Sequence, residues 1–219
     1  RQRRFKSAKE NDDNKDPNKF NPNCISAGTS FLNFLSKYID WFIRMMITTN
    51  PFWKNLEIIF SDEKNKGEGE HKIIDYIRKN GLECESFCIH GMDADLIMLS
   101  LSLDKNNIYV FRDNIFYNQT HLIKINDFKS KLIDKFKKNI GNECKTFRKP
   151  QSITDFVLIC FLVGNDFLPN IPGLAILEGG IDIMLDIYIE NLKINGHLTK
   201  NTRNIGNMIN IENFSHFLT

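Results

Sequence analysis

Apolar and polar positions along this chain follow two periods, and they divide it into alternating helices and strands. From Phe31 onwards apolar side chains recur at Leu32, Phe34, Leu35, Tyr38, Ile39 and Phe42, the spacing of an amphipathic helix. Gly28-Thr29-Ser30 marks its start and Pro51 lies just past its end. Leu56 to Phe60 is a short β-prone run, and Ser86 to His90 and Ile108 to Arg112 are two more. Phe116-Tyr117 and Leu122 to Ile125 add weaker strand signals. Between these runs, Ile73, Ile74 and Ile77 share one face of a helix over 71–79, and Leu96 to Leu103 predicts another. A lysine-rich helix is expected around 127–138.

Ser152-Ile153-Thr154-Asp155 has the form of a capping box that opens an apolar helix over 153–163, which makes Asp155 a cap. From Gly179 the pattern predicts one helix, Ile181 to Asn191, then polar loops and a short terminal helix. Arg1 to Glu10 predicts a basic helix that leads into a polar loop. Strands that alternate with helices predict an α/β fold with a largely parallel sheet flanked by helices. In such sheets ligands collect beyond the carboxyl ends of the strands.

Carboxylates are concentrated where those strands end. Glu68 and Glu70 stand in Gly67-Glu68-Gly69-Glu70-His71, and Asp93 and Asp95 in Gly91-Met92-Asp93-Ala94-Asp95-Leu96. Asp166 stands in Gly164-Asn165-Asp166-Phe167-Leu168-Pro169, after the apolar helix. Each block has a bland reading: Glu68 and Glu70 favour the positive end of the following helix, Asp93 caps the next one, and Asp166 belongs to a turn. Together they point elsewhere. Two carboxylates about 4 Å apart repel by roughly 4 kcal/mol at an effective dielectric of 20, and hard divalent cations with oxygen ligands offset that repulsion. Acid-x-acid twice after a strand, with a third acid ending a helix, suits a site holding a pair of metal ions for phosphoryl transfer. His71 could serve as a general acid or base or simply belong to the first turn of its helix, and His90 is expected to pack or hydrogen-bond at a strand end.

Composition narrows the setting. The 42% apolar content implies a globular chain, and the net charge of +2 hides a basic start at Arg1, Arg3, Arg4, Lys6 and Lys9. Adjacent guanidiniums there match the oxygens of a phosphate, although a solvated basic face or nonspecific nucleic-acid patch is the plainer alternative. Five cysteines without paired spacing imply a reducing compartment. The longest apolar run, Phe156 to Gly164, is too short to cross a bilayer, so an intracellular protein without membrane attachment is expected. The chain begins with Arg1, as if cut from a longer polypeptide.

The blocks resemble the XRN family of 5′→3′ exoribonucleases. The resemblance is carried by Ile59-Phe60-Ser61 leading to Gly67 through Ile73, by His90-Gly91-Met92-Asp93-Ala94-Asp95-Leu96-Ile97-Met98-Leu99, and by Phe161 to Pro172. Arg1 to Ala8 and Gly28-Thr29-Ser30-Phe31 match preceding family blocks, and Gly196-His197-Leu198-Thr199 a weaker later one. The resemblance implies a PIN-like nuclease fold related to flap endonucleases, incomplete at its N-terminus. Residues 1–175 would be part of the nuclease domain and 176–219 the start of a helical region.

It also implies processive hydrolysis of RNA from a 5′-monophosphate end with Mg²⁺ or Mn²⁺, in RNA decay or processing. Glu68, Glu70, Asp93, Asp95 and Asp166 correspond to family metal-binding carboxylates. Arg3 and Arg4 correspond to arginines that grip the 5′-phosphate. The family pattern has two further metal-binding aspartates before the point matched by Arg1, so the chain alone is expected to be inactive or nearly so.

Lys66 and Ala27 stand where the family usually has proline. The short connection from Asp113 to Gln151, without a zinc-knuckle pattern, leans towards the cytoplasmic branch of the family over the nuclear one. The sequence does not reveal which protein partners the chain has. Two other readings stay open: another PIN-like nuclease acting on DNA or flaps, and a non-catalytic RNA-binding fragment.

Overall fold

The computed structural model describes residues 20–81, 85–114, 118–141, 144, 146–164, 169–174, 176, 179–202 and 206–219. Contacts group the chain into two units, 1–69 and 70–219.

Among its described residues the first unit is built on one long helix. A 3-10 turn at Pro22–Cys24 precedes α1, Ser30–Thr49. Thr29 caps α1, its hydroxyl accepting from the Leu32 N–H at 3.2 Å, which supplies a partner for one of the donors every helix start leaves over. Asn50 is extended, as the residue before a proline must be, so Pro51 ends the helix where the sequence predicts. Ser36 is the buried side chain of α1 and its hydroxyl bonds Glu63, while Phe34, Tyr38 and Trp41 are exposed. Leu56 to Phe60, expected as a strand, forms none. A strand exists through its ladder, and this β-prone run has no strand paired to it among the described residues.

The second unit carries a three-stranded sheet and the main core. Its elements are α2 (Gly69–Asn80), β1 (Phe87–His90), α3 (Asp95–Leu101), β2 (Ile108–Asn114), β3 (Gln119–Lys124), α4 (Ile125–Ile140), α5 (Lys149–Leu162), α6 (Gly180–Ile194), β4 (Thr199–Thr202), β5 (Gly206–Ile209) and α7 (Ile211–Leu218). β1 pairs with β2 in parallel, Phe87 opposite Ile108 and His90 opposite Phe111. β2 pairs with β3 antiparallel. The expected largely parallel sheet is therefore a small mixed one. β3 begins a few residues after β2 ends, and a parallel return needs a crossover of about a dozen residues or more.

Alternation on β2 buries Ile108 and Val110 completely, and Ile89 joins them from β1. Ile125, Leu132, Phe136 and Ile140 form the buried stripe of α4 against α5 and α6. α5 starts at Lys149, earlier than the sequence suggests, because Pro150 favours the first turn of a helix. Asp155 thus lies inside α5 and does not cap it. β4 and β5 form a hairpin where polar loops were expected.

Candidate metal centre

Gly67 turns the chain at φ +99°, a conformation glycine adopts without steric penalty, and α2 begins two residues later. Glu68 and Glu70 therefore flank the first residue of the helix, and His71 follows. One ligand atom from each of Glu68, Glu70 and His71 lies within 4.8 Å of the others. Among the described residues this is the metal-competent group of three or more. Its compactness comes from four contiguous residues at a helix start, where the helix dipole favours negative charge. Two carboxylates at this spacing fit a hard divalent cation, with the His71 imidazole beside them.

The second pair sits beyond β1. Asp93 is exposed and Asp95 half-buried as the first residue of α3, and the Asp95 N–H donates to Asp93 Oδ1 at 3.3 Å. Position Ala94 caps α3 without a side-chain bond, so Asp93 does not act as a conventional N-cap. Neither aspartate belongs to the Glu68 group at that spacing. Asp95 and His71 do border one cavity of about 250 Å³, walled by apolar side chains of α3 and α5 such as Met98, Leu99, Val157 and Phe161. Cys160 lines it too, and burial pushes its thiol pKa up to about 12, which keeps it neutral and unreactive near pH 7.

Asp166, Arg3 and Arg4 lie outside the described residues. α5 leads towards Asp166 through Gly164, which has φ +91°; a Cβ there would meet the Asn170 backbone nitrogen at 2.8 Å. The expectation that both acid pairs follow strands holds for Asp93 and Asp95 alone, because Leu56 to Phe60 is not a strand.

Two arrangements escape a reading of the sequence. At the end of β1, His90 Nε2 meets Asp113 Oδ2 at 3.0 Å, its ring stands edge-on to Phe111, and Arg112 donates to the Met92 carbonyl. His90 does bond and pack at the strand end as expected, but partners on another strand carry no sequence signal.

The other arrangement is a buried carboxylate. Asp155 is fully buried and accepts from the Tyr188 hydroxyl at 2.8 Å, the Thr199 hydroxyl at 2.6 Å and the Leu198 N–H at 3.2 Å. His197 Nδ1 lies 2.7 Å from Asp155 Oδ2, while His197 Nε2 accepts the Arg148 N–H at 2.7 Å. That backbone donor fixes the ring proton on Nδ1, aimed at the carboxylate. Burial, with the Asp155 charge second, pushes the Tyr188 hydroxyl pKa up, so it stays a donor. A buried aspartate followed by a distant Gly-His-Leu-Thr run is the only trace this cluster leaves in the sequence.

Comparison with known proteins decides the family. The model for the XRN 5′-3′ exonuclease N-terminus matches residues 1–114, just over half of the chain. This chain belongs to the XRN family. The model for the Xrn1 helical domain matches residues 146–219. The first match contains Arg3, Arg4, Glu68, Glu70, Asp93 and Asp95, and the second contains Asp166.

Relatives include a 5′-3′ exoribonuclease 2 homolog of Caenorhabditis briggsae, 33% identical over 83% of this chain and 23% of the relative. The 5′-3′ exoribonuclease 1 of Schizosaccharomyces pombe is 32% identical over 86% of this chain and 16% of its own length. The 5′-3′ exoribonuclease 2 of Gallus gallus is 33% identical, with 83% and 24% covered. The XRN chain here spans a quarter or less of the length of these relatives.

Proposed function

We propose that this chain is part of a hydrolytic 5′→3′ exoribonuclease that acts on RNA bearing a 5′-monophosphate, and that its nuclease region has the PIN-like fold. The observation that carries the reading is the grouping of Glu68, Glu70 and His71 at the start of α2, inside the segment matched by the exonuclease model. The names of the relatives support the reaction class.

Glu68, Glu70, Asp93, Asp95 and Asp166 would hold Mg²⁺ or Mn²⁺, since hard carboxylate oxygens suit both. Bound there, the cations would supply an activated water and charge stabilisation at the scissile phosphate. The chain's residues do the rest. Arg3 and Arg4 grip the terminal phosphate through their planar donors, which selects a monophosphate over a bulkier capped or triphosphorylated end. Asp95 stands at the edge of the cavity whose apolar wall comes from α3 and α5.

Glu68→Gln or Asp93→Asn in the whole protein is expected to abolish release of nucleoside 5′-monophosphates in Mg²⁺; a wild-type rate in either variant refutes the metal role. Arg4→Ala is expected to erode the preference for phosphate over hydroxyl 5′ ends in a competition assay. An undiminished preference removes the phosphate grip.

A further inference from the structure

We propose that Arg112 and Asp113, at the end of β2, are positioning residues that hold the Asp93/Asp95 loop in the shape that takes a divalent cation. The inference rests on the reading of those aspartates as metal ligands. The loop leaves β1 after His90 and enters α3 at Asp95, and β2 ties it down along its first half. The Gly91 N–H donates to the Phe111 carbonyl at 3.1 Å, Arg112 Nη2 donates to the Met92 carbonyl, and His90 Nε2 meets Asp113 Oδ2 at 3.0 Å. The parallel register explains why these groups meet: His90 lies opposite Phe111, so the residues just past that pair face each other.

From the other side α3 presses on the same backbone. A Cβ at position 91 would fall 2.3 Å from Leu96 Cδ1, so any larger residue there would require the Leu96 side chain to shift. The loop is therefore clamped between a strand end and a helix start, and its two acids share one turn through the Asp95 N–H bond to Asp93 Oδ1.

Two like charges in one turn push that turn open, and a tether opposes the opening. Arg112 suits this task because its charge is permanent and its fork donates in fixed directions. It has no acceptor and cannot itself bind a cation. The carboxylate of Asp113 is engaged by His90, and the pair orients the last strand residue before the loop. Groups that orient metal ligands typically change affinity about 10–100-fold when removed, without being ligands themselves.

The test is a Mn²⁺ titration of the whole protein to which this chain belongs, followed by loss of the free-ion paramagnetic resonance signal, for the unaltered protein and for its Arg112→Met, Arg112→Lys and Asp93→Asn variants. Urea unfolding of each accompanies it. Arg112→Met is expected to weaken Mn²⁺ binding by about tenfold or more with its unfolding midpoint unchanged. Arg112→Lys, which keeps charge but not the fork, is expected to recover part of the loss and to remain about threefold weaker than the parent. If Arg112→Met does not fold, Arg112→Lys decides, and parental affinity in it overturns the proposal. Parental affinity in Arg112→Met beside lost binding in Asp93→Asn overturns the positioning role and leaves the metal reading standing. Unchanged binding in Asp93→Asn, or no saturable binding by the unaltered whole protein, overturns the metal reading and this inference with it.

Discussion

Two groups of acids in this chain have opposite surroundings. Glu68, at the start of α2, is exposed and sits beside another carboxylate. Asp155, inside α5, is sealed from solvent, and donors from Tyr188, Thr199, Leu198 and His197 converge on its two oxygens. A buried charge is tolerated only when it is hydrogen-bonded and paired, and this one is. Its lone pairs are spent inside the protein, so it joins α5, α6 and the β4–β5 hairpin and has nothing left to offer a ligand. The group at the start of α2 has the opposite character, since its acids repel each other and the helix dipole offsets that repulsion only in part. An acid held at an energetic disadvantage is the one to suspect of chemistry.

Substitution on each side of this contrast should give opposite results. Asp155→Ala strands several buried donors at once and is expected to lower unfolding free energy by about 4 kcal/mol, while Glu68→Gln changes it by less than about 0.5 kcal/mol. Urea denaturation of the two variants measures both, and equal losses would erase the distinction. Gly91→Ala comes next: the added carbon falls on Leu96 Cδ1, and a loss of about 2 kcal/mol is expected as the loop or α3 gives way. A midpoint unmoved by this change would mean the clamp on the Asp93 loop is slack.

The smallest effect concerns the thiols. Cys88 is exposed and Cys160 is half-buried with its pKa pushed up to about 12, so a thiol reagent at pH 8 should modify Cys88 first and Cys160 much more slowly until the protein unfolds. The raised value also sets a sign. Cys160 contributes its stability in full below about pH 9 and loses it as the pH climbs from about 9 towards 12, because the unfolded thiol releases its proton first. Stability rising over that interval would contradict the burial.

Much of this was legible in the residues, and the failures share a cause. α1 was readable from end to end because its cap, its period and its proline are all local. The β1–α3–β2 run and the placement of Asp93 and Asp95 beyond β1 were readable for the same reason. Leu56 to Phe60 looked like a strand and is not one, since β-propensity cannot supply a partner. The β4–β5 hairpin looked like loop because Thr199-Lys200-Asn201-Thr202 is polar throughout, and its pairing depends on what packs beneath. Asp155 looked like a cap because a cap and a buried acceptor use the same side chain. What separates them is Tyr188, His197 and Thr199, all distant in sequence. The grips of Arg112 on Met92 and of Asp113 on His90 were hidden in the same way.

The ring of His197 has both nitrogens committed, one towards a carboxylate and one to a main-chain amide. An imidazole so engaged cannot ferry protons during turnover. It works as a rivet between the head of α5 and the strand that follows α6, and the search for a proton carrier in this chain should pass it by.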